Sequence, residues 1–143
     1  MKIIECVPNF SEGCDPEKIE SIARVLKSFP DVHFIDYSGD CDHNRSVFTF
    51  LGKTEDVLEA VLSVSGKALE LIDMRSQAGV HPRLGAVDVV PFIPLGKTKM
   101  ADAVDLARLF GQKLYERFNV PVYYYGEAAL VSARRELAHV RHG

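Results

Sequence analysis

Seven residues, GDCDHNR from Gly39 to Arg45, separate two short apolar runs, VHFIDYS at 32–38 and SVFTFLG at 46–52. Both runs are rich in β-branched and aromatic residues and read as strands. Parallel neighbours need a crossover of a dozen or more residues, so a loop this short makes the two strands an antiparallel pair. A doubly wound parallel sheet is disfavoured on that ground alone.

The segments on either side fit the same architecture. Residues 2–8 (KIIECVP) read as a first strand, ended by Pro8. Asp15-Pro16 is a helix start, with a capping side chain and a proline at the first helical position. Ile19, Ile22, Ala23, Leu26 and Phe29 then recur on one face, until Pro30-Asp31 stops the helix. Thr54 with Glu55 and Asp56 opens a second helix, its acids at the positive end of the dipole. Val57, Leu58, Val61, Leu62, Ala68, Leu69 and Ile72 form its apolar face. A loop from Met74 to Gly85 leads to a strand at 86–93. A third helix over about 98–118 follows, with Met100, Val104, Ala107, Gly111 and Leu114 along one side. A last strand at 120–125 and a short helix at 127–139 complete the reading. The order is β-α-β-β-α-β, then α-β-α. The first six elements match the split β-α-β pattern of ferredoxin-like domains, an antiparallel sheet with both helices on one face. The expected fold is therefore α+β, with residues 1–143 as one domain.

Composition excludes several functions. Apolar residues are 47% and charged residues 26%, with a formal net charge of −3. That balance suits a globular chain and not one that displaces counterions from nucleic acid. The arginines and histidines near the C-terminus read as a solvated end. No apolar run approaches the roughly 18–20 residues needed to span a bilayer, and MKIIECVPNF does not read as a signal peptide. Cys6, Cys14 and Cys41 are odd in number and widely spaced. A disulfide framework is not expected, and a reducing cytoplasm is the simpler setting. Cys41-Asp42-His43 offers sulfur, oxygen and nitrogen donors, but no second ligand pair stands at zinc-finger spacing. No metal is expected.

Four groups could carry chemistry. His81 lies between Val80 and Pro82, which pushes it towards an extended conformation, and Gly79 and Gly85 bracket the loop. It is either a structural loop residue or an imidazole poised for proton transfer near neutral pH. Asp88, among valines, either orients that imidazole or is an ordinary strand-end carboxylate. Arg45 and Arg83 each flank a strand end, where a guanidinium can clamp a carboxylate, and Asn44 adds a polar contact. Asn9, in VPNFSEG, either faces a ligand or belongs to a tight turn before the helix. Its glycine spacing matches no phosphate loop.

Taken together, ECVPNFSEG (5–13), NRSVFTFLG (44–52), GVHPRLGAVDVVPFIPL (79–95) and VPVYYYGEAA (120–129) resemble the N-terminal half of glutamate formiminotransferase, which also begins formiminotransferase-cyclodeaminase. The resemblance runs in order over nearly the whole chain. It implies transfer of a formimino or formyl group between N-formiminoglutamate and N5 of tetrahydrofolate, in histidine degradation. His81 takes the place of the family's acid/base, and tetrahydrofolate that of the co-substrate. Asn9, Asn44, Arg45 and Arg83 become candidates for holding the glutamate derivative or the folate. The resemblance further implies a ferredoxin-like half-domain whose folate-closing second half is absent from this sequence, which a separate chain would then supply. The alternative is a non-catalytic domain, binding folate or another protein through its open face, as a homo-oligomer or with a different chain.

Overall fold

The computed structural model describes residues 2–72, 86–125 and 130–133. In chain order the elements are β1 (Ile3–Cys6), β2 (Asn9–Phe10), α1 (Pro16–Lys27), β3 (His33–Asp40), β4 (Arg45–Lys53), α2 (Thr54–Leu71), β5 (Val87–Leu95), α3 (Met100–Phe118), β6 (Val122–Tyr125) and β7 (Leu130–Ala133). Strands β1 to β5 form one antiparallel sheet, in which β4 lies between β3 and β1, and β1 lies between β4 and β5. β5 also pairs with β7, and β7 with β6.

The hairpin expected from the short loop is β3–β4, with Asp40 opposite Arg45 at its closed end. The first strand ends at Cys6, just before Val7-Pro8, and a two-residue strand resumes at Asn9. β1 and β2 share a single register along β4, with Cys6 opposite Phe50 and Asn9 opposite Val47. Proline has no N–H to give to the ladder, which breaks the line there. Its carbonyl still accepts from Phe48 N at 3.1 Å.

Alternation in β1 and β4 sends Ile4, Cys6, Phe48 and Phe50 into the core. The helices cover that face side by side, α1 on β3, α2 across β1 and β4, and α3 over β5, β6 and β7. Ile22 and Leu26 of α1, Val57 and Val61 of α2, and Phe110 and Leu114 of α3 close the core. The start of α1 is as its sequence indicates, since Asp15 Oδ1 accepts from Glu17 N at 3.0 Å and Pro16 occupies the first turn. Asp15→Ala should cost about 1 kcal/mol of stability, readable by urea denaturation. α3 begins later than expected, because the Thr98 hydroxyl is engaged across the fold, accepting from Ile3 N at 2.8 Å. Its buried face holds Ala107, Gly111 and Leu114 as expected, and is wider than expected. Leu106 and Phe110 are inside, whereas Met100 is 48% exposed.

Two expectations are corrected. Residues 130–133, read as part of a short helix, form β7, with Val131 opposite Val90. The outer edge of β5 offers unpaired backbone groups, and their pairing outweighs a weak local helical preference. Cys14 and Cys41 are not free thiols but form a disulfide, with Cα atoms 4.5 Å apart. Their separation of 27 residues conceals that the β2–α1 loop folds back onto the β3–β4 turn. Only Cys6 stays a thiol, and burial pushes its pKa well up. Among the described residues no helix is long and apolar enough to cross a membrane.

Candidate functional site

Three segments meet at one end of the sheet. Phe10 of β2 lies opposite Ser46 of β4 on one side and Val87 of β5 on the other. Just beyond, Ser11 N donates to Ala86 O at 2.9 Å. Gly13 N donates to Asn44 Oδ1 at 2.9 Å, joining the β2–α1 loop to the hairpin turn. The fold therefore gathers Asn9, Asn44, Arg45 and Asp88 at the same end. His81 and Arg83 lie outside the described residues.

Each gathered residue is placed by a local cause. Asn9 Nδ2 donates to Val7 O at 2.9 Å, so one amide hydrogen is spent on its own strand. Asn44 has φ of 49°, a left-handed conformation that asparagine tolerates better than most residues. That conformation closes the hairpin and aims Oδ1 at Gly13. Arg45 opens β4 and is exposed. Asp88 sits at a bulge. Asn9 is opposite Val89 while Phe10 is opposite Val87, which leaves Asp88 as the extra residue. The bulge explains how Val87 and Val90, three apart, both reach the core, and it leaves Asp88 half-buried.

Gly13 is fixed by close approach. A Cβ there would collide with the backbone of Asp40 and Arg45, atoms that cannot rotate aside. On the same turn His43 Nδ1 donates to Asp40 Oδ2 at 2.6 Å, and Asp42 N donates to Asp40 Oδ1 at 3.0 Å. The bond from His43 holds the Asp40 carboxyl below its ordinary value. A lowered carboxyl pKa adds stability above the unfolded-state value, lost as pH falls through the folded one. His43→Ala should raise the Asp40 pKa towards its ordinary value, measured by carbon NMR of the side-chain carboxyl.

A shallow cavity of about 200 Å³, lined by Lys2, Thr54, Asp102, Asp105, Leu106 and Leu109, opens at the other end of the sheet. Lys2 and Asp102 form an ion pair across it at 2.9 Å. At about 3.3 Å per residue, the length of β1 and β2 keeps it roughly 20 Å from Asn9, and the length of β4 keeps it farther still from Asn44, so it is not part of the same site. Sequence reasoning missed the disulfide, the Gly13 contact and the His43–Asp40 pair. All three depend on which loops meet in space. The one available signal was Asn44, a residue suited to left-handed turns just before a strand.

An antiparallel sheet with helices on one face, and loops converging at one end of it, defines an α+β domain whose described residues offer a candidate ligand wall. The chain belongs to the family described as the formiminotransferase domain, N-terminal subdomain, whose model matches residues 3–143. It is 47% identical over 142 residues to formimidoyltransferase-cyclodeaminase of Gallus gallus, covering 99% of this chain and 26% of that protein. It is 43% identical over 141 residues to glutamate formimidoyltransferase of Thermoplasma acidophilum, covering 99% of this chain and 46% of the relative. Against glutamate formimidoyltransferase of Streptococcus pyogenes serotype M1 the identity is 39%, covering 99% of this chain and 48% of the relative. The chain thus spans between about a quarter and a half of the length of these relatives.

Proposed function

We propose that this chain forms one wall of a formimidoyltransferase site and that a second subdomain, on the same chain or another, completes it. The observation that carries the reading is the 43% identity to a glutamate formimidoyltransferase over 99% of this chain. The frame is the ferredoxin-like split β-α-β arrangement, a reading supported by the spatial order β5, β1, β4, β3, with α1 and α2 packed together. The 1–143 segment acts as a single N-terminal-type domain.

In this reading His81 is the general acid/base for transfer of a formimino or formyl group between N-formiminoglutamate and N5 of tetrahydrofolate. Its imidazole takes the proton of the attacking nitrogen and returns one to the leaving nitrogen. Asp88, held at its bulge, orients His81. Arg45 and Arg83 clamp carboxylates, and Asn9 and Asn44 bound the substrate. The half-buried apolar residues of the uncovered sheet face, with Ile35 and Ile93 exposed on it, suit a covering subdomain. Enclosure of that kind excludes water from the reacting groups.

The test is formimino transfer from N-formiminoglutamate to tetrahydrofolate, with this chain mixed with a matching C-terminal subdomain of a relative. Turnover in the mixture and none from either part alone is expected. No turnover, together with no calorimetric binding of 5-formyltetrahydrofolate at millimolar ligand, would overturn the reading in favour of an interaction module. Arg45→Ala should weaken glutamate-derivative binding about tenfold or more, seen as a raised KM with little change in kcat, because one charge-assisted contact contributes roughly 1.5–3 kcal/mol.

A further inference from the structure

The disulfide stands where the candidate site is assembled. Cys14 lies two residues before the first residue of α1, and Cys41 begins the turn that ends in Asn44 and Arg45. Both half-cystines are exposed, in contrast to the fully buried Cys6. The loop and the turn are also joined by the bond from Gly13 N to Asn44 Oδ1, and Asn44 N donates back to Cys41 O at 3.2 Å. The core on the helix side is built from other elements, namely Phe10, Phe48, Phe50, Phe110 and the helix residues packed on them.

We propose that Cys14–Cys41 is a reversible dithiol–disulfide clasp, closed to fix the 11–15 loop on the 41–45 turn and open to release it. The clasp concerns the two loops. Only its consequence for ligand rests on the formimidoyltransferase reading, through the placing of Asn44 and Arg45. An exposed disulfide is open to in-line attack by a thiolate, which a buried one is not. Opening needs an external thiol reductant, here a dithiol. One of its thiolates attacks Cys41 Sγ, the Sγ–Sγ bond breaks, and Cys14 departs as a thiolate and takes a proton. The second thiol of the reductant then displaces Cys41, which is protonated in turn, and the reductant leaves as its own disulfide. Two electrons pass to the protein. Glu12, Asp15, Asp40 and Asp42 flank the two cysteines in sequence. Their charge disfavours an anionic thiol, so an uncharged monothiol such as 2-mercaptoethanol should attack the clasp faster than glutathione does at equal thiolate concentration.

The loop and turn carry the readout. The chain, labelled with nitrogen-15, is equilibrated in buffers of reduced and oxidised dithiothreitol. Alkylation and mass spectrometry count its free thiols, and amide exchange is followed at Gly13. The expected result is a reversible change between one and three free thiols, with the folded spectrum kept in both states. Gly13 exchange should be at least tenfold faster in the open state. A Cys14→Ser, Cys41→Ser double variant should match the open state. Three outcomes overturn the clasp: three free thiols under every oxidising buffer, loss of the folded spectrum on opening, or Gly13 exchange within twofold between the states. Binding of 5-formyltetrahydrofolate, with the second subdomain supplied, is measured separately in both states. No binding in either state counts against the formimidoyltransferase reading, while the clasp stands or falls on Gly13. Equal binding in both states removes the consequence for ligand.

Discussion

Replacing His81 by alanine is expected to slow formimino transfer by about 10²- to 10⁴-fold in the completed site, with the chain still folded. General acid–base catalysis supplies a factor of that size, equivalent to roughly 3–5 kcal/mol of barrier. A relay between two nitrogens requires a group that can take up one proton and give one back, which an imidazole can do. The wild type should therefore lose kcat/KM on the acid side as the free imidazole becomes protonated. The alanine variant should lose that limb together with its rate. His81→Asn keeps polarity and approximate size without the proton transfer, and should be nearly as slow. A rate within tenfold of wild type, with an unchanged urea midpoint, would remove His81 from the chemistry. An unchanged rate-to-pH profile at lowered stability would make it a loop residue.

The parts of this molecule that sequence makes legible are those governed by neighbours along the chain. The short loop at 39–45 dictates an antiparallel hairpin, and Asp15-Pro16 dictates a helix start, because hydrogen-bond reach and ring closure act within a few residues. β7 was hidden because the pairing of Leu130–Ala133 is decided by the edge of β5, about forty residues away in the chain. The Cys14–Cys41 bond was hidden for the same reason, since neither local spacing nor an odd cysteine count reports a loop folding back. Of the candidate site, residue type beside strand ends points to Asn9, Asn44, Arg45 and Asp88, which lie towards one end of the sheet, and to His81 and Arg83, which lie outside the described residues. What the residue types could not show is their local employment. Asn44 holds Gly13 through Oδ1, and Asp88 is displaced by a bulge that brings both Val87 and Val90 into the core.

Phe48→Ala is expected to remove about 3–5 kcal/mol of stability, measured by urea denaturation of the isolated chain. Phe48 has no exposed surface and sits in the middle of β4, pointing at the helices. Its ring lies parallel to Tyr37 at 5.3 Å between centroids, and edge-on to Phe10 at 5.6 Å. Truncation therefore leaves a cavity and also strands two aromatic neighbours, on β3 and on β2. For a domain whose total stability is of the order of 5–15 kcal/mol, that loss is a large fraction. The consequence should reach the site unevenly. Tyr37 and Phe48 are a paired position of the β3–β4 hairpin, three rungs from Asp40 and Arg45. Loosening that pair frees the turn holding Asn44 more than it disturbs the far ends of β1 and β4. Amide exchange in the folded variant should accordingly rise more at Asn44 than at Gly52. A uniform rise would mean that the hairpin and the rest of the sheet open as one unit, and that the aromatic stack does not set the position of the turn.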